Sequence, residues 1–148
     1  MTTPFRHLHH VCLVVHDIDR TQAYYESIGV GPWREYPPLS EYTELDVPNR
    51  EAFLAMRYRV AELDNVQLQL CQPPELDCPQ RRFLDQHGEG VFHLGFEQDL
   101  DDAVRQADAA GVSVLMRGQR PDRSGFVYFD TADDAAVVLE TRRSPSTG

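Results

Sequence analysis

An internal repeat is the feature that most constrains the fold of this 148-residue chain. Each copy contains a histidine, an aspartate six or seven residues later, and a glycine 12 residues beyond that aspartate. These residues are His10, Asp17 and Gly29 in the first copy and His93, Asp99 and Gly111 in the second. Self-similarity of this kind indicates two copies of one structural unit. We therefore expect both copies to share one order of helices and strands.

Hydrophobic periodicity predicts the order βαβββ in each copy. In the first copy, the helix runs from Asp17 to Gly29, and the predicted strands are 8–15, 33–36, 53–60 and 66–71. In the second copy, the helix carries Leu100, Val104, Ala107 and Ala110 on one side, and the predicted strands are 91–96, 112–116, 126–129 and 136–142.

These patterns predict an α+β fold made of two tandem βαβββ modules. The modules comprise residues 7–73 and 90–142 and together form one domain. Residues 74–89 form a linker with a short helix near 79–87. The proline-containing and acidic segment 37–51 is predicted to be a mobile loop inside the first module.

Composition limits the possible partners and the compartment. The formal charge is -10, which disfavours nucleic-acid backbones and anionic membrane surfaces. The apolar runs are far shorter than the roughly 20 residues that span a bilayer. The N-terminal residues lack a signal-peptide pattern, so a soluble, cytoplasmic protein is expected. The three cysteines form no CxxC pair, which argues against a disulfide framework or a thiolate zinc site.

Four polar side chains interrupt otherwise apolar strands, two in each module. They are His10, Gln69, His93 and Glu140, and they lie in the first and last strand of each module. Each taken alone is typical of an ordinary structural residue. Burying any of them without a partner would cost about 1–3 kcal/mol or more, and they recur at matching places in both copies. A shared divalent cation would satisfy all four.

The chain resembles the vicinal oxygen chelate superfamily, the glyoxalase, bleomycin-resistance and dioxygenase fold. The stretches 10–19, 24–26 and 29–33 are similar to its first module, and 90–96 and 136–140 are similar to its second. The resemblance is strongest to the methylmalonyl-CoA epimerase-like branch, where a glutamine in the segment resembling 66–73 completes a His-Gln-His-Glu metal set. The resemblance implies curved sheets around a central metal cleft, with metal ligands His10, Gln69, His93 and Glu140. It also implies a homodimer.

This family resemblance implies a metal-dependent enzyme that acts on a small carbonyl compound. A nitrogen and oxygen donor set suits Zn, Co, Ni, Mn or Fe. The implied reaction removes a proton next to a carbonyl, as epimerases, isomerases and some lyases do. Candidate proton-transfer residues are Glu140 and two tyrosines at comparable places in the modules, Tyr58 and Tyr128.

One departure from the epimerases concerns the middle strand of the first module. There the epimerases carry a second carboxylate that helps to move the proton. The predicted strand 53–60 contains no Asp or Glu. This difference argues against methylmalonyl-CoA epimerase activity itself.

Two alternative functions remain open within the same fold. A non-haem Fe(II) extradiol-type dioxygenase would use His10, His93 and Glu140 as a facial triad, although Gln69 argues against it by occupying a further position. A non-catalytic protein that binds small molecules, such as drugs, is the other alternative. The arginine-rich loop 117–123 is a candidate site for an anionic group on the substrate.

Overall fold

The computed structural model describes residues 2–145, which form an α+β fold of nine strands and five α-helices. The strands are β1 (Leu8–Val14), β2 (Trp33–Glu35), β3 (Glu44–Asp46), β4 (Arg57–Glu62), β5 (Gln67–Gln72), β6 (Gly90–Glu97), β7 (Val114–Gln119), β8 (Gly125–Phe129) and β9 (Val138–Arg143). The helices are α1 (Ile18–Ser27), α2 (Arg50–Leu54), α3 (Pro79–His87), α4 (Leu100–Ala109) and α5 (Ala132–Ala135). Between residues 2 and 145, every helix is too short or too polar to cross a membrane.

The chain divides into two compact units. The N-terminal unit consists of His10–Leu39 and Asn49–Phe92, and the C-terminal unit consists of the described residues 2–9, Ser40–Pro48 and 93–145. In the N-terminal unit the strand order is β2-β4-β5-β1, with β1 and β5 parallel. In the C-terminal unit the order is β6-β9-β8-β7-β3, with β6 and β9 parallel. The predicted βαβββ order is confirmed.

Matching helix caps fix the start of α1 and of α4. The Asp17 carboxylate accepts a hydrogen bond from the backbone N–H of Arg20 at 3.1 Å. The Asp99 carboxylate accepts one from the N–H of Asp102 at 3.0 Å. An aspartate at this position satisfies a donor that the first helical turn leaves without a partner. The repeated aspartates of the sequence are therefore helix caps.

Each of these two helices covers one face of its sheet. Beneath α1 lies a cluster of Val15, Ile18 and Leu70, and beneath α4 lies a cluster of Leu100, Ala103, Ala107, Val127 and Phe129. Because side chains alternate along a strand, the residues next to Leu70, Val127 and Phe129 point to the opposite face of each sheet. The polar side chains of interest lie on that opposite face.

The strand predicted at 53–60 begins too early. Phe53 lies in helix α2, and β4 starts at Arg57 and continues to Glu62. Asn49 causes the difference, because its side-chain oxygen accepts a hydrogen bond from the N–H of Ala52 at 3.1 Å and so caps a short helix. The helix predicted at 79–87 is α3, with the same bounds.

The prediction that 37–51 is a mobile loop is wrong, because this segment contains β3. That strand pairs with β7, and Leu45 lies opposite Gly118. A Cβ atom on Gly118 would lie 2.6 Å from Cε1 of Phe126 and 2.9 Å from Cδ2 of Leu45. The glycine thus leaves room for both side chains, and the part Ser40–Pro48 belongs to the C-terminal unit.

Candidate functional site

In the N-terminal unit, His10 and Gln69 lie on neighbouring parallel strands, and both are buried. His10 of β1 lies opposite Gln67 of β5, so Gln69 is two residues beyond the position opposite the histidine. Leu70 packs beneath α1, so Gln69 points to the other face of the sheet, the face that His10 shares. An imidazole and an amide are thereby brought to one buried face.

In the C-terminal unit, His93 and Glu140 repeat this register. His93 of β6 lies opposite Val138 of β9, and Glu140 is again two residues beyond that position. Nε2 of His93 lies 2.7 Å from Oε2 of Glu140, and the side chains are 1% and 5% exposed. An imidazole and a carboxylate thus occupy the positions that the other unit gives to an imidazole and an amide.

The two candidate tyrosines are not in equivalent positions, contrary to the prediction. Tyr128 lies directly opposite Glu140, and its ring centroid is 4.8 Å from that of His93. Tyr58 lies opposite Cys71, and Val60 is the residue opposite Gln69. Of the two tyrosines, only Tyr128 therefore lies directly opposite the candidate metal ligand on the last strand of its own unit, Glu140.

A row of aromatic rings extends from His93 and Tyr128 across the C-terminal unit. The ring of Phe126 lies 5.2 Å from that of Tyr128, and the ring of Tyr42 lies 5.1 Å from that of Phe126. At the far end, Cζ of Arg120 lies 4.2 Å from the Tyr42 ring centroid. The sequence interpretation missed Tyr42 because it assigned this residue to a loop.

Residues 117–119 of the predicted arginine-rich loop 117–123 lie in β7. Arg120, the first residue after that strand, differs from Arg123 of the same segment. Its residue surface is 8% exposed, and its Nη1 donates to Oγ of Ser124 at 3.3 Å. Its Nε lies 3.4 Å from Oε2 of Glu41. Arg123, in contrast, is exposed and pairs with Asp101 at 3.1 Å. Of these two arginines, Arg120 is the one held against the ring row.

A hydrogen-bonded chain connects Gln69 with the exposed edge of its sheet. Nε2 of Gln69 donates to Oε1 of Gln67 at 2.7 Å, and Nε2 of Gln67 donates to Oε1 of Glu62 at 2.6 Å. Arg34 donates to the same Glu62 oxygen at 3.0 Å. In the sequence, one observation pointed to Gln67: it is two residues before Gln69 and therefore lies on the same face of the strand. We refer to these four residues as the amide chain.

Comparison with known proteins gives one family and a set of similar folds. The family model described as the Glyoxalase/Bleomycin resistance protein/Dioxygenase superfamily matches residues 9–129. No curated protein matches the chain. Methylmalonyl-CoA epimerase from Mycobacterium tuberculosis has 21% identity and a TM-score of 0.69 over 99% of this chain and 92% of its own. A variant of the Streptomyces coelicolor methylmalonyl-CoA epimerase, in complex with 2-nitronate-propionyl-CoA, has 23% identity and a TM-score of 0.70 over 95% and 98%. At these identities the likeness is one of fold.

Proposed function

The chain belongs to the glyoxalase/bleomycin resistance protein/dioxygenase superfamily, and from this premise we propose that it is a metal-dependent enzyme of the epimerase or isomerase type. Its reaction removes a proton from the carbon next to a carbonyl group of a small substrate. The observation that carries the proposal is the repeated register. Each unit brings a buried histidine and a buried oxygen donor to the same pair of positions on its first and last strands.

The proposed metal ligands are His10, Gln69, His93 and Glu140. His10, His93 and Glu140 each offer one ligand atom of a kind that binds divalent cations, and Gln69 adds an amide oxygen. Two imidazole nitrogens and two oxygens suit Zn, Co, Ni, Mn or Fe rather than a soft metal such as Cu(I). All four residues are at most 5% exposed, so a cation would compensate for the loss of water around them.

A divalent cation supplies Lewis acidity, which stabilises the negative charge that develops on a carbonyl oxygen when the neighbouring carbon loses its proton. In this proposal Glu140 takes up the proton when it is displaced from the metal. Tyr128 lies opposite Glu140 in the strand register and is a candidate to donate or accept the proton. Burial of both residues keeps bulk water from competing for the proton. Tyr58 is a second candidate from the N-terminal unit.

Arg120 gives the proposal a preferred substrate class. A buried guanidinium is a strong partner for a carboxylate or phosphate. Arg120 lies at the end of the ring row that starts at His93 and Tyr128, so an elongated carbonyl compound with an anionic group is the proposed substrate. The solved structures support a carbonyl substrate, since one of the epimerases was determined with methylmalonyl-CoA.

The dioxygenase alternative has weaker support from the residues. A facial triad needs three protein ligands and open positions for oxygen and substrate. Gln69 supplies a fourth ligand, an amide oxygen, on the same buried face as His10. Oxygen uptake with catechols after anaerobic loading with Fe(II) would favour this alternative. We also propose a homodimer in the cytoplasm, which sedimentation and cell fractionation would test.

Metal analysis combined with hydrogen exchange tests the proposed function. We expect the protein, stripped by chelation and reloaded with Zn or Co(II), to retain about one ion per chain. The loaded protein should exchange the α-hydrogen of an acyl thioester or a 2-oxo acid for deuterium. His10→Ala and Glu140→Ala should abolish both properties, and His16→Ala, an exposed histidine of the same unit, should leave both unchanged. Folded His10→Ala and Glu140→Ala proteins that keep their metal would refute the proposal.

A further inference from the structure

One difference between the two units lies beside the proposed ligands, on the buried face that carries them. The residue opposite the first-strand histidine is Gln67 in the N-terminal unit and Val138 in the C-terminal unit. Each residue lies two positions before the last-strand candidate, Gln69 or Glu140. The amide of Gln69 therefore has a polar residue two positions before it, whereas the carboxylate of Glu140 has an apolar residue there.

The chemistry of the two candidates explains why only the amide needs a polar neighbour. Both oxygens of an ionised carboxylate accept, so Glu140 can offer an oxygen to a cation in either orientation of its group. The amide of Gln69 has an oxygen on one side and an –NH₂ group on the other, and only the oxygen can bind a cation. A rotation of about 180° about the last side-chain bond would turn a donor toward the metal.

The amide chain gives Gln69 one orientation. The Glu62 carboxylate can only accept, so Gln67 must present its nitrogen to Glu62, which it does at 2.6 Å. The oxygen of Gln67 then faces Gln69 and accepts from its nitrogen at 2.7 Å. Because the nitrogen of Gln69 is engaged by Gln67, the oxygen is the atom left on the other side of the amide.

We propose that Gln67, held by Glu62, is a positioning residue that directs Oε1 of Gln69 toward the bound cation. This inference rests on the proposed function, since it assumes that Gln69 is a metal ligand. In this role Gln67 acts through Gln69 and is not itself a ligand. The anchor of the chain is Glu62, whose side chain is 60% exposed and paired with Arg34, so a surface carboxylate sets the orientation of a buried amide.

A double-mutant cycle on metal affinity tests this role. Gln67→Val gives the N-terminal unit the residue that the other unit has at the same position. We expect it to weaken Co(II) binding to the apoprotein by about 10–100-fold, the usual effect of losing a partner that orients a metal ligand. In a Gln69→Glu background the same substitution should change affinity by less than about 3-fold, because a carboxylate needs no such orientation.

The measurements are the dissociation constant from a Co(II) titration and the visible absorption spectrum of the bound Co(II). Activity is not needed for either. If Gln67→Val weakens binding equally in the Gln69 and Gln69→Glu backgrounds, or leaves it unchanged with Gln69, the inference is overturned. If the parent protein binds no Co(II), the proposed function fails instead, so the two failures can be told apart.

A surface variant keeps the test available if Gln67→Val does not fold. Glu62→Ala removes the anchor of the chain and should weaken Co(II) binding with Gln69 but not with Gln69→Glu. The matched control is Glu35→Ala, which removes another exposed carboxylate, paired with Arg59 at 2.7 Å. Equal Co(II) affinity of the Glu62→Ala and Glu35→Ala proteins would contradict the proposed role of Glu62.

Discussion

Oε2 of Glu140 lies 2.7 Å from Nε2 of His93, and both side chains are almost fully buried. Removing one partner of a buried pair commonly costs about 3–5 kcal/mol, because the other stays behind without compensation. We therefore expect Glu140→Ala to lower the free energy of unfolding of the apoprotein by several kcal/mol. Glu140→Gln keeps the shape and a hydrogen-bonding oxygen, so urea unfolding should show a loss below about 1.5 kcal/mol.

Glu140→Gln should also separate the stability of the apoprotein from its metal affinity. Glu140→Gln loses the negative charge that compensates the cation. Its affinity for Zn should fall by more than about 100-fold, even though its apoprotein is close to the parent in stability. Calorimetric titration gives the affinity. A Glu140→Gln protein with parental Zn affinity would show that the negative charge of Glu140 is not needed to bind the cation.

Tyr128→Phe should separate packing from proton transfer. The ring contacts with His93 and Phe126 remain, so the midpoint of thermal unfolding should change little. If the hydroxyl moves a proton, α-deuterium exchange should slow by about 10²–10⁴-fold. Tyr58→Phe is the comparison. A larger effect of Tyr58→Phe on exchange would assign the proton transfer to the N-terminal unit.

Arg120→Gln should raise the KM for a substrate with an anionic group. The loss of a hydrogen bond to a charged group, about 1.5–3 kcal/mol, corresponds to a rise of about 10–100-fold. Arg123→Gln should have little effect because Arg123 is exposed, whereas Arg120 is buried against the Tyr42 ring. An uncharged substrate analogue provides the control. If its KM rises as much as that of the anionic substrate, Arg120 supports the fold and does not bind the anion.

Gly118→Ala should destabilise the C-terminal unit. Its new methyl group would lie 2.6 Å from Phe126 and 2.9 Å from Leu45, closer than atoms in contact can approach. Overpacking of this kind costs about 1–3 kcal/mol, which urea unfolding can resolve. Gly90→Ala is the matched control, since no atom lies within 4 Å of the added carbon. Equal stability of the two variants would mean that the side chains of Phe126 and Leu45 move aside without cost.

The two helix caps should contribute comparable amounts to stability. Asp17→Ala and Asp99→Ala each remove the acceptor of a first-turn N–H, at a cost of about 0.5–2 kcal/mol. Asp108→Ala removes a carboxylate from the last turn of α4, where the helix dipole disfavours negative charge, so no loss is expected. Urea unfolding of the three variants checks this. A loss for Asp108→Ala as large as the other two would point to a general effect of removing charge.

The repeat made the main architecture predictable from the sequence, because periodic apolar residues recur with the same offsets in both copies. Long elements such as α4 and β6 were found close to their observed bounds. Two short elements were not. Helix α2 depends on the Asn49 side chain, and β3 has three residues whose pairing partner lies more than 70 residues away along the chain. Both elements are too short to produce a periodic pattern of apolar residues in the sequence.

The candidate site divides in the same way. His10, Gln69, His93 and Glu140 could be selected because polar residues in apolar strands stand out, and the strand register then groups them in matching pairs. The sequence could not show which residues lie opposite the two tyrosines, or that Arg120 contacts Tyr42. Both depend on pairing between strands that are distant in the sequence. Gln67 could be predicted to lie on the same strand face as Gln69. Its partner Glu62 could not be predicted, because the predicted strand ended at residue 60 and β4 continues to Glu62.

The short strand Glu44–Asp46 has a consequence for dividing the gene. It belongs to the first half of the sequence, yet it completes the edge of the sheet that contains His93 and Glu140. A polypeptide that began at Gly90 would keep those two residues but expose the backbone of β7, and bare strand edges recruit other molecules into aggregates. The halves follow a common plan, but dividing the gene before Gly90 would separate β3 from β7, the strand with which it pairs.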